Sequence, residues 1–435
     1  MIELAHIFRR HGPDYQAKFA ERMLPSHRQA MRAIINCRTE ALGGHVYHCD
    51  HCDEDRYSYH SCRNRHCPKC QCDAAEQWLA RQQDFLLPVP YFLLTFTLPA
   101  GLRELARSNQ RAIYNLLFRA SAAATKQLAR DPRFVGGQIG LVGILHTWAR
   151  DLNYHPHVHY LVPGGGLSDD GQSWLQARED FLVHVKPLSI LFRAKFRDAL
   201  KKTDLFVRVP TETWQQDWVV HCQPVGNGVT TLKYLAPYIF RVAISHKRIL
   251  KLAHGKVTFR YTESSTGQTR ICTLAAEEFI RRFLQHVLPK GLVKIRYYGF
   301  FSSGNRHQLR QARHQLGAQD THQPQEPSQE TATNSEAACR CPQCGQVMRL
   351  SKRSNRIDIA HLERLMCSAM LFGPRRSGFL LAPIALPCLL TEIPVSTAHG
   401  SLSQFLVALH DAADLLANWA TSGNSYRALL PQCAS

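Results

Sequence analysis

The 435-residue chain has no run of about 18 or more apolar residues, so no segment reads as a membrane-crossing helix. Its opening residues, Met1-Ile-Glu-Leu-Ala-His6, lack the cationic n-region and apolar h-region of a secretory leader, and a cytoplasmic, reducing location is expected. No G-x-x-x-x-G-K-[ST] phosphate loop occurs, which argues against a fused helicase of the P-loop type. No internal repeat is visible, so a repeat architecture is not expected. Acidic residues are the other shortage. Against 53 Lys+Arg stand 34 Asp+Glu, a formal charge of +19, with 23 His besides. Such an excess attracts polyanions, and nucleic acid is the commonest one that a large cytosolic protein meets. The shortage is uneven. From Met366 to Ser435, three basic residues (Arg375, Arg376, Arg427) meet three acidic ones (Glu392, Asp411, Asp414). The whole excess lies before that tail, and a nucleic-acid surface is expected there too.

Cysteine is plentiful, and its spacing is the first positive signal. Of 15 Cys, six fall between Cys49 and Cys72 and three between Cys339 and Cys344. Short-spaced clusters in a large chain of this kind read as metal ligands rather than disulfides. Cys49-Asp-His-Cys52 and Cys67-Pro-Lys-Cys70 are two C-x-x-C knuckles, and the expected shell is Cys49, Cys52, Cys67 and Cys70 around one structural Zn2+. Cys62 and Cys72 are surplus to that shell, so a swapped ligand or a second ion stays open. Arg56, Arg63, Arg65 and Lys69 on these loops are the expected DNA contacts. Cys339-Arg-Cys341-Pro-Gln-Cys344 offers half a site with no second knuckle after it, and metal is not expected there.

Between these clusters, helical and strand patterns alternate. Helical spacing covers residues 1–45, and a short helix is expected from Asp73 to Phe85. Tyr91 to Leu98 reads as a buried strand closed by Pro99, and Leu102 to Leu128 as a long amphipathic helix. Strands are expected at Ile139–Trp148, His157–Val162, Phe181–Val185 and Asp217–Val225. Helices are expected at Leu188–Leu205, Thr231–Ser245 and Leu274–Leu288, with a hairpin strand around Phe259 and Tyr261. This is an α+β pattern, a sheet flanked by helices with a small N-terminal cysteine-rich domain. The expected divisions are a helical, zinc-binding, DNA-contacting part (1–88), a catalytic domain (89–302), a polar flexible linker (303–338) and a C-terminal region (339–435).

The most informative stretch is Asn153-Tyr-His155-Pro-His157-Val-His159-Tyr-Leu-Val162. Alternate residues of a strand share a face, so His157 and His159 project together as a two-imidazole cation site. His146, on the preceding strand, is the third ligand if the two strands pair antiparallel; His155 is the competitor. Tyr234-Leu-Ala-Pro-Tyr238 places two phenols at helical spacing, with Pro237 either kinking that helix or starting it.

These motifs, in this order, resemble the two-tyrosine HUH transposases, the rolling-circle type of insertion-sequence enzyme with an N-terminal zinc-binding domain. The similarity runs from about Tyr15 to Arg310 and includes Ser61-Cys-Arg-Asn-Arg-His-Cys-Pro-Lys-Cys-Gln71, Leu94-Thr-Phe-Thr-Leu-Pro99, the histidine strand with its glycines, and the tyrosine pair. The resemblance implies an HUH-type antiparallel sheet, a catalytic Mg2+ or Mn2+ held by His157 and His159, and 5′-phosphotyrosine intermediates on Tyr234 and Tyr238. Its implied partners are single-stranded DNA at transposon ends and target DNA. The rival readings are a non-catalytic zinc-finger DNA-binding protein and an HUH replication initiator or relaxase.

Overall fold

The computed structural model describes residues 2–70, 86–227, 243–263, 266–318 and 339–354. Helix Leu4–Phe19 buries Leu4, Ile7, Phe8, Gly12 and Tyr15, positions that recur at helical spacing along one face. Pro25 stands in the first turn of helix Pro25–Ile35, where no amide hydrogen is required. Both helices share an apolar core with helix Ala276–Leu284, where the Phe8 and Phe283 rings meet edge to face at 5.5 Å. Strands β1 (Gly44–Cys49) and β2 (Glu54–Tyr59) then form an antiparallel hairpin.

The largest sheet among the described residues has five strands. Its strands are β3 (Pro90–Thr97), β4 (Leu141–Trp148), β5 (Tyr154–Pro163), β8 (Val220–Asn227) and β12 (Ile295–Tyr298). The order is β12-β4-β5-β3-β8, and every neighbouring pair is antiparallel. A small hairpin, β6 (Gly165–Leu167) and β7 (Trp174–Gln176), and a meander of β9 (Ile249–Ala253), β10 (Lys256–Thr262) and β11 (Thr269–Ala275) stand apart from it. The expected α+β architecture is therefore present, with the histidine strand in the middle of the sheet.

The two faces of the sheet bury different residues. Phe92, Leu94 and Phe96 of β3 and Val158, Tyr160 and Val162 of β5 pack with helices Gln110–Ala129 and Val185–Leu200. Gly143 lies opposite Tyr160, and a Cβ there would come within 2.5 Å of the Tyr160 ring. The glycine thus makes room for a large side chain whose hydroxyl donates to the Phe118 carbonyl at 3.0 Å. On the other face, Tyr91, Leu93, Val142, Ile144 and Leu161 pack with Phe300 and Leu309. That second face also carries His146, His157 and His159.

Several sequence expectations need correction. The helix expected over Leu102–Leu128 breaks at Asn109 into Arg103–Ser108 and Gln110–Ala129, because Asn109 leaves the helical region at φ −130° and ψ 45°, while its side-chain amide and its backbone N–H both donate to the Leu105 carbonyl. Phe181–Val185 is not a strand. One bridge links Arg178 and Phe181, and Val185 already begins a helix. Residues 303–315 are not the linker expected there, since helix Arg306–Gln315 buries Leu309 and Ala312 three residues apart, and residues 319–338 of that stretch lie outside the described residues. Residues 339–354 are not separate from the N-terminal part. Strand β13 (Arg349–Ser354) pairs antiparallel with β1, from Gly44↔Ser354 to His48↔Arg349, making the sheet β13-β1-β2. The helix expected at 73–85 lies outside the described residues, as does nearly all of that at 231–245. Among the described residues, no helix is long and apolar enough to cross a membrane.

Candidate metal centres

His157 and His159 leave the same face of β5, and β4 sets His146 directly opposite His157. Ring centroids lie 4.8 Å apart for His157–His159, 5.4 Å for His146–His157 and 4.9 Å for His146–His159. One ring nitrogen from each falls within 4.8 Å of the others, close enough for one ion to draw them together. Three residues expected to meet in space do meet.

Their surroundings orient them. His157 Nδ1–H donates to the His155 carbonyl at 2.7 Å, which turns Nε2 toward the cluster as the ligand atom. Burial first, and the neighbouring His159 second, hold His157 well below the ordinary imidazole range. It stays neutral, the state in which a ring nitrogen binds metal. His159 Nδ1 meets Thr95 Oγ1 at 2.8 Å, and Trp148 stacks on the His146 ring at 4.9 Å. His155 takes no part in the trio; its Nδ1 accepts from the Arg103 guanidinium at 3.0 Å. Among the described residues no carboxylate joins the three imidazoles. Such a donor set suits transition ions better than Mg2+, which prefers oxygen ligands.

The four-thiolate shell expected from Cys49, Cys52, Cys67 and Cys70 does not assemble. Instead, Cys67 and Cys70 meet Cys37 and Cys62, while Cys49 and Cys52 meet Cys341 and Cys344. The reason is geometric, since β1 and β2 carry the first knuckle away from the second. Cys37, just after helix Pro25–Ile35, is missed from sequence because an isolated cysteine has no spacing signal. In the first group, Cys37 Sγ and Cys62 Sγ lie 3.4 and 3.5 Å from Cys70 Sγ. Sulfurs about 2.3 Å from a tetrahedral Zn2+ would be about 3.8 Å apart, so the group fits that ion with little movement. Hydrogen bonding with Cys62 pulls the Cys37 thiol far down, while the same contact pushes Cys62 up. The sulfurs share protons that a cation would replace. A closed four-thiolate set would leave a bound ion no open position for chemistry.

The basic residues expected to meet DNA divide in two. Arg65 is turned inward, donating to the carbonyls of Leu292 at 2.5 Å and Pro289 at 2.7 Å. Lys69 is held by Glu3 at 2.8 Å. Both are engaged within the protein, Arg65 by backbone carbonyls and Lys69 by a carboxylate. Arg56 and Arg63 are exposed. Arg63 lines a cleft of about 790 Å³ with Arg28, Arg32, Gln29, Asn36 and Asn64, and among the described residues no carboxylate lines it. Arg28 and Arg32 had no sequence signal beyond the overall charge. Tyr234 and Tyr238 lie outside the described residues.

Comparison with known proteins gives consistent matches. The family model "Putative transposase" matches residues 140–309, and the model "Transposase zinc-binding domain" matches residues 7–98. A "Putative transposase y4qJ" from Sinorhizobium fredii is 42% identical over 336 residues, covering 72% of this chain and 84% of that protein. The "Transposase for insertion sequence element IS801" from Pseudomonas savastanoi pv. phaseolicola is 30% identical over 293 residues, covering 63% of this chain and 70% of the relative.

Proposed function

Because the chain belongs to the family of IS91- and IS801-type transposases, we propose that it cuts and rejoins single-stranded DNA at transposon ends by tyrosine attack, assisted by a divalent ion at His146, His157 and His159. The observation that carries the catalytic part is the meeting of three imidazoles across β4 and β5. Bound there, Mn2+ or Mg2+ would polarise the scissile phosphate and hold it in line for attack. The all-imidazole donor set favours Mn2+ of the two.

Tyr234 and Tyr238 are the proposed nucleophiles. A phenol has an ordinary pKa of about 10, so its proton must leave as the oxygen attacks phosphorus. The new bond joins the tyrosine oxygen to the 5′ phosphate, and the bond from phosphorus to the 3′ oxygen breaks. The departing 3′ oxygen takes up a proton. One phosphodiester replaces another, so the linkage is conserved and a 3′ hydroxyl can reverse the step on a new strand. A second tyrosine lets one cut end be held while another strand is attacked. Arg28, Arg32 and Arg63 support a path for the DNA backbone, as their cleft offers cations and amides with no competing carboxylate among the described residues.

The test is incubation of the full chain with single-stranded terminal DNA and Mn2+, followed by mass spectrometry of the covalent complex. An adduct on Tyr234 or Tyr238, lost in the Tyr234→Phe/Tyr238→Phe protein, is the expected result. An adduct elsewhere, or vigorous nicking by the double variant, would rule the mechanism out.

A further inference from the structure

The second cysteine group joins two knuckles of the same construction. In Cys49-Asp-His-Cys52, the amide of Asp53 donates to the Cys49 carbonyl at 2.9 Å, and Asp53 takes a φ of 55°. In Cys341-Pro-Gln-Cys344, the amide of Gly345 donates to the Cys341 carbonyl at 2.8 Å, and Gly345 takes a φ of 74°. Each turn ends in the left-handed region one residue past its second cysteine, which brings its two thiols to one side. The two turns face each other. Cys49 Sγ lies 3.6 Å from Cys344 Sγ, Cys341 Sγ lies 3.8 Å from Cys52 Sγ, and all four sulfurs fall within 4.8 Å of one another. These spacings are close to the edge of a zinc–thiolate tetrahedron, about 3.8 Å. No disulfide joins these cysteines.

We propose that Cys49, Cys52, Cys341 and Cys344 hold a second structural zinc, and that this ion docks residues 339–354 onto the N-terminal hairpin. The packing argues for the ion as the main fastener. Of residues 339–353 only Cys341 and Met348 are buried, so apolar contact alone gives this segment little hold. The β1–β13 ladder supplies hydrogen bonds, yet a short edge strand with so few buried side chains needs a further tie to remain ordered. Metal coordination provides one, because binding energy at a site assembled from separate segments is also folding energy. The proposal rests on thiol geometry and does not depend on the tyrosine mechanism.

Titration of the metal-stripped, reduced full chain with Co2+ tests it, because the thiolate-to-cobalt absorption band counts only sulfur-bound ions and ignores the histidine site. Two equivalents should build that band in the native chain, and one in Cys341→Ser/Cys344→Ser. Hydrogen exchange of the zinc-loaded proteins gives the second measurement. The variant should lose amide protection across residues 349–352 and along β1, at least about tenfold, while the five-stranded sheet keeps its own. Cys62→Ser/Cys67→Ser should also bind one sulfur-ligated equivalent yet keep residues 349–352 protected. Saturation of the native band at one equivalent would overturn the proposal, as would an unchanged band or unchanged protection in Cys341→Ser/Cys344→Ser.

Discussion

His146 and His157 face each other as direct cross-strand partners of β4 and β5, their ring planes perpendicular and their centroids 5.4 Å apart. The pairing makes the site dependent on register. A slip of one residue would carry one imidazole through the sheet to the face packed by helices, exchanging it for an apolar side chain. The antiparallel ladder thus fixes the three nitrogens, without a loop that must close around the ion.

Replacing His157 and His159 together by Ala should abolish cleavage while leaving most DNA affinity. Loss of metal stabilisation at the phosphate is worth several kcal/mol, so single-turnover cleavage should fall by about a thousandfold or more. Binding to a single-stranded end should change by less than about tenfold, since phosphate contacts elsewhere supply it. Cleavage assays and fluorescence anisotropy on the same preparation decide the point. Parallel loss of both would place the affinity at the ion.

Thr95→Val removes the partner of His159 Nδ1 without touching a ligand. Outer hydrogen bonds of this kind typically change metal affinity by about tenfold or more. The half-saturating Mn2+ concentration for cleavage should rise accordingly, and the rate at saturating Mn2+ should nearly recover. A rate that stays low at all Mn2+ concentrations would contradict a purely orienting role.

The arginines separate by salt dependence. Each phosphate contact on a single strand contributes about 0.7 to the slope of log affinity against log salt. Arg32→Ser with Arg63→Asn should therefore lower the slope by roughly 1.4, asparagine being chosen because Arg63 sits at a φ of 52°. Arg65→Ala should leave the slope unchanged and lower the melting temperature, because its guanidinium caps carbonyls inside the protein. Equal slopes for native and Arg32/Arg63-substituted protein would move the DNA path away from this cleft.

Acid should weaken the fold through His286. Burial pushes its imidazole down to about 4, and Nε2 lies 3.1 Å from the Leu152 carbonyl, to which the ring N–H donates. The unfolded histidine titrates near about 6.5, so between these values the unfolded chain binds the extra proton. The stability is fully present above about pH 6.5 and is lost as pH falls toward 4. At pH 5 the unfolding constant should have risen by about thirtyfold through this residue. His286→Gln, which keeps a donor for Leu152, should show a smaller difference between urea midpoints at pH 7.5 and pH 5. Equal pH sensitivity in both proteins would remove His286 as the cause.

The histidine site was legible in the sequence because strand periodicity is local. One residue separates His157 from His159, and a short connection between β4 and β5 makes the antiparallel partner His146 the natural third ligand. The cysteine partnerships were not legible, because C-x-x-C spacing says which two thiols share a turn and nothing about which turns meet. Cys37 and the Cys341 knuckle reach their partners through tertiary packing and the β1–β13 ladder. Charge was legible in total and not in detail. Arg63 and Arg65 look alike in sequence, yet one borders a cleft and the other is consumed by backbone carbonyls. The tyrosine pair rests on its sequence pattern, since it lies outside the described residues.

The pairing of β1 with β13 also sets an order of events during synthesis. The two strands are separated by about 300 positions. At about 5–20 residues per second, a ribosome needs roughly 15 to 60 s to deliver the second after the first. Throughout that interval one edge of the N-terminal hairpin stays open and one knuckle has only two thiols to offer. A nascent chain released early, by a stop codon or a frameshift in the message between Pro163 and Arg349, would carry the histidine strand without ever completing this sheet. Translation to beyond Ser354 is thereby written into the architecture of residues that emerge among the first fifty.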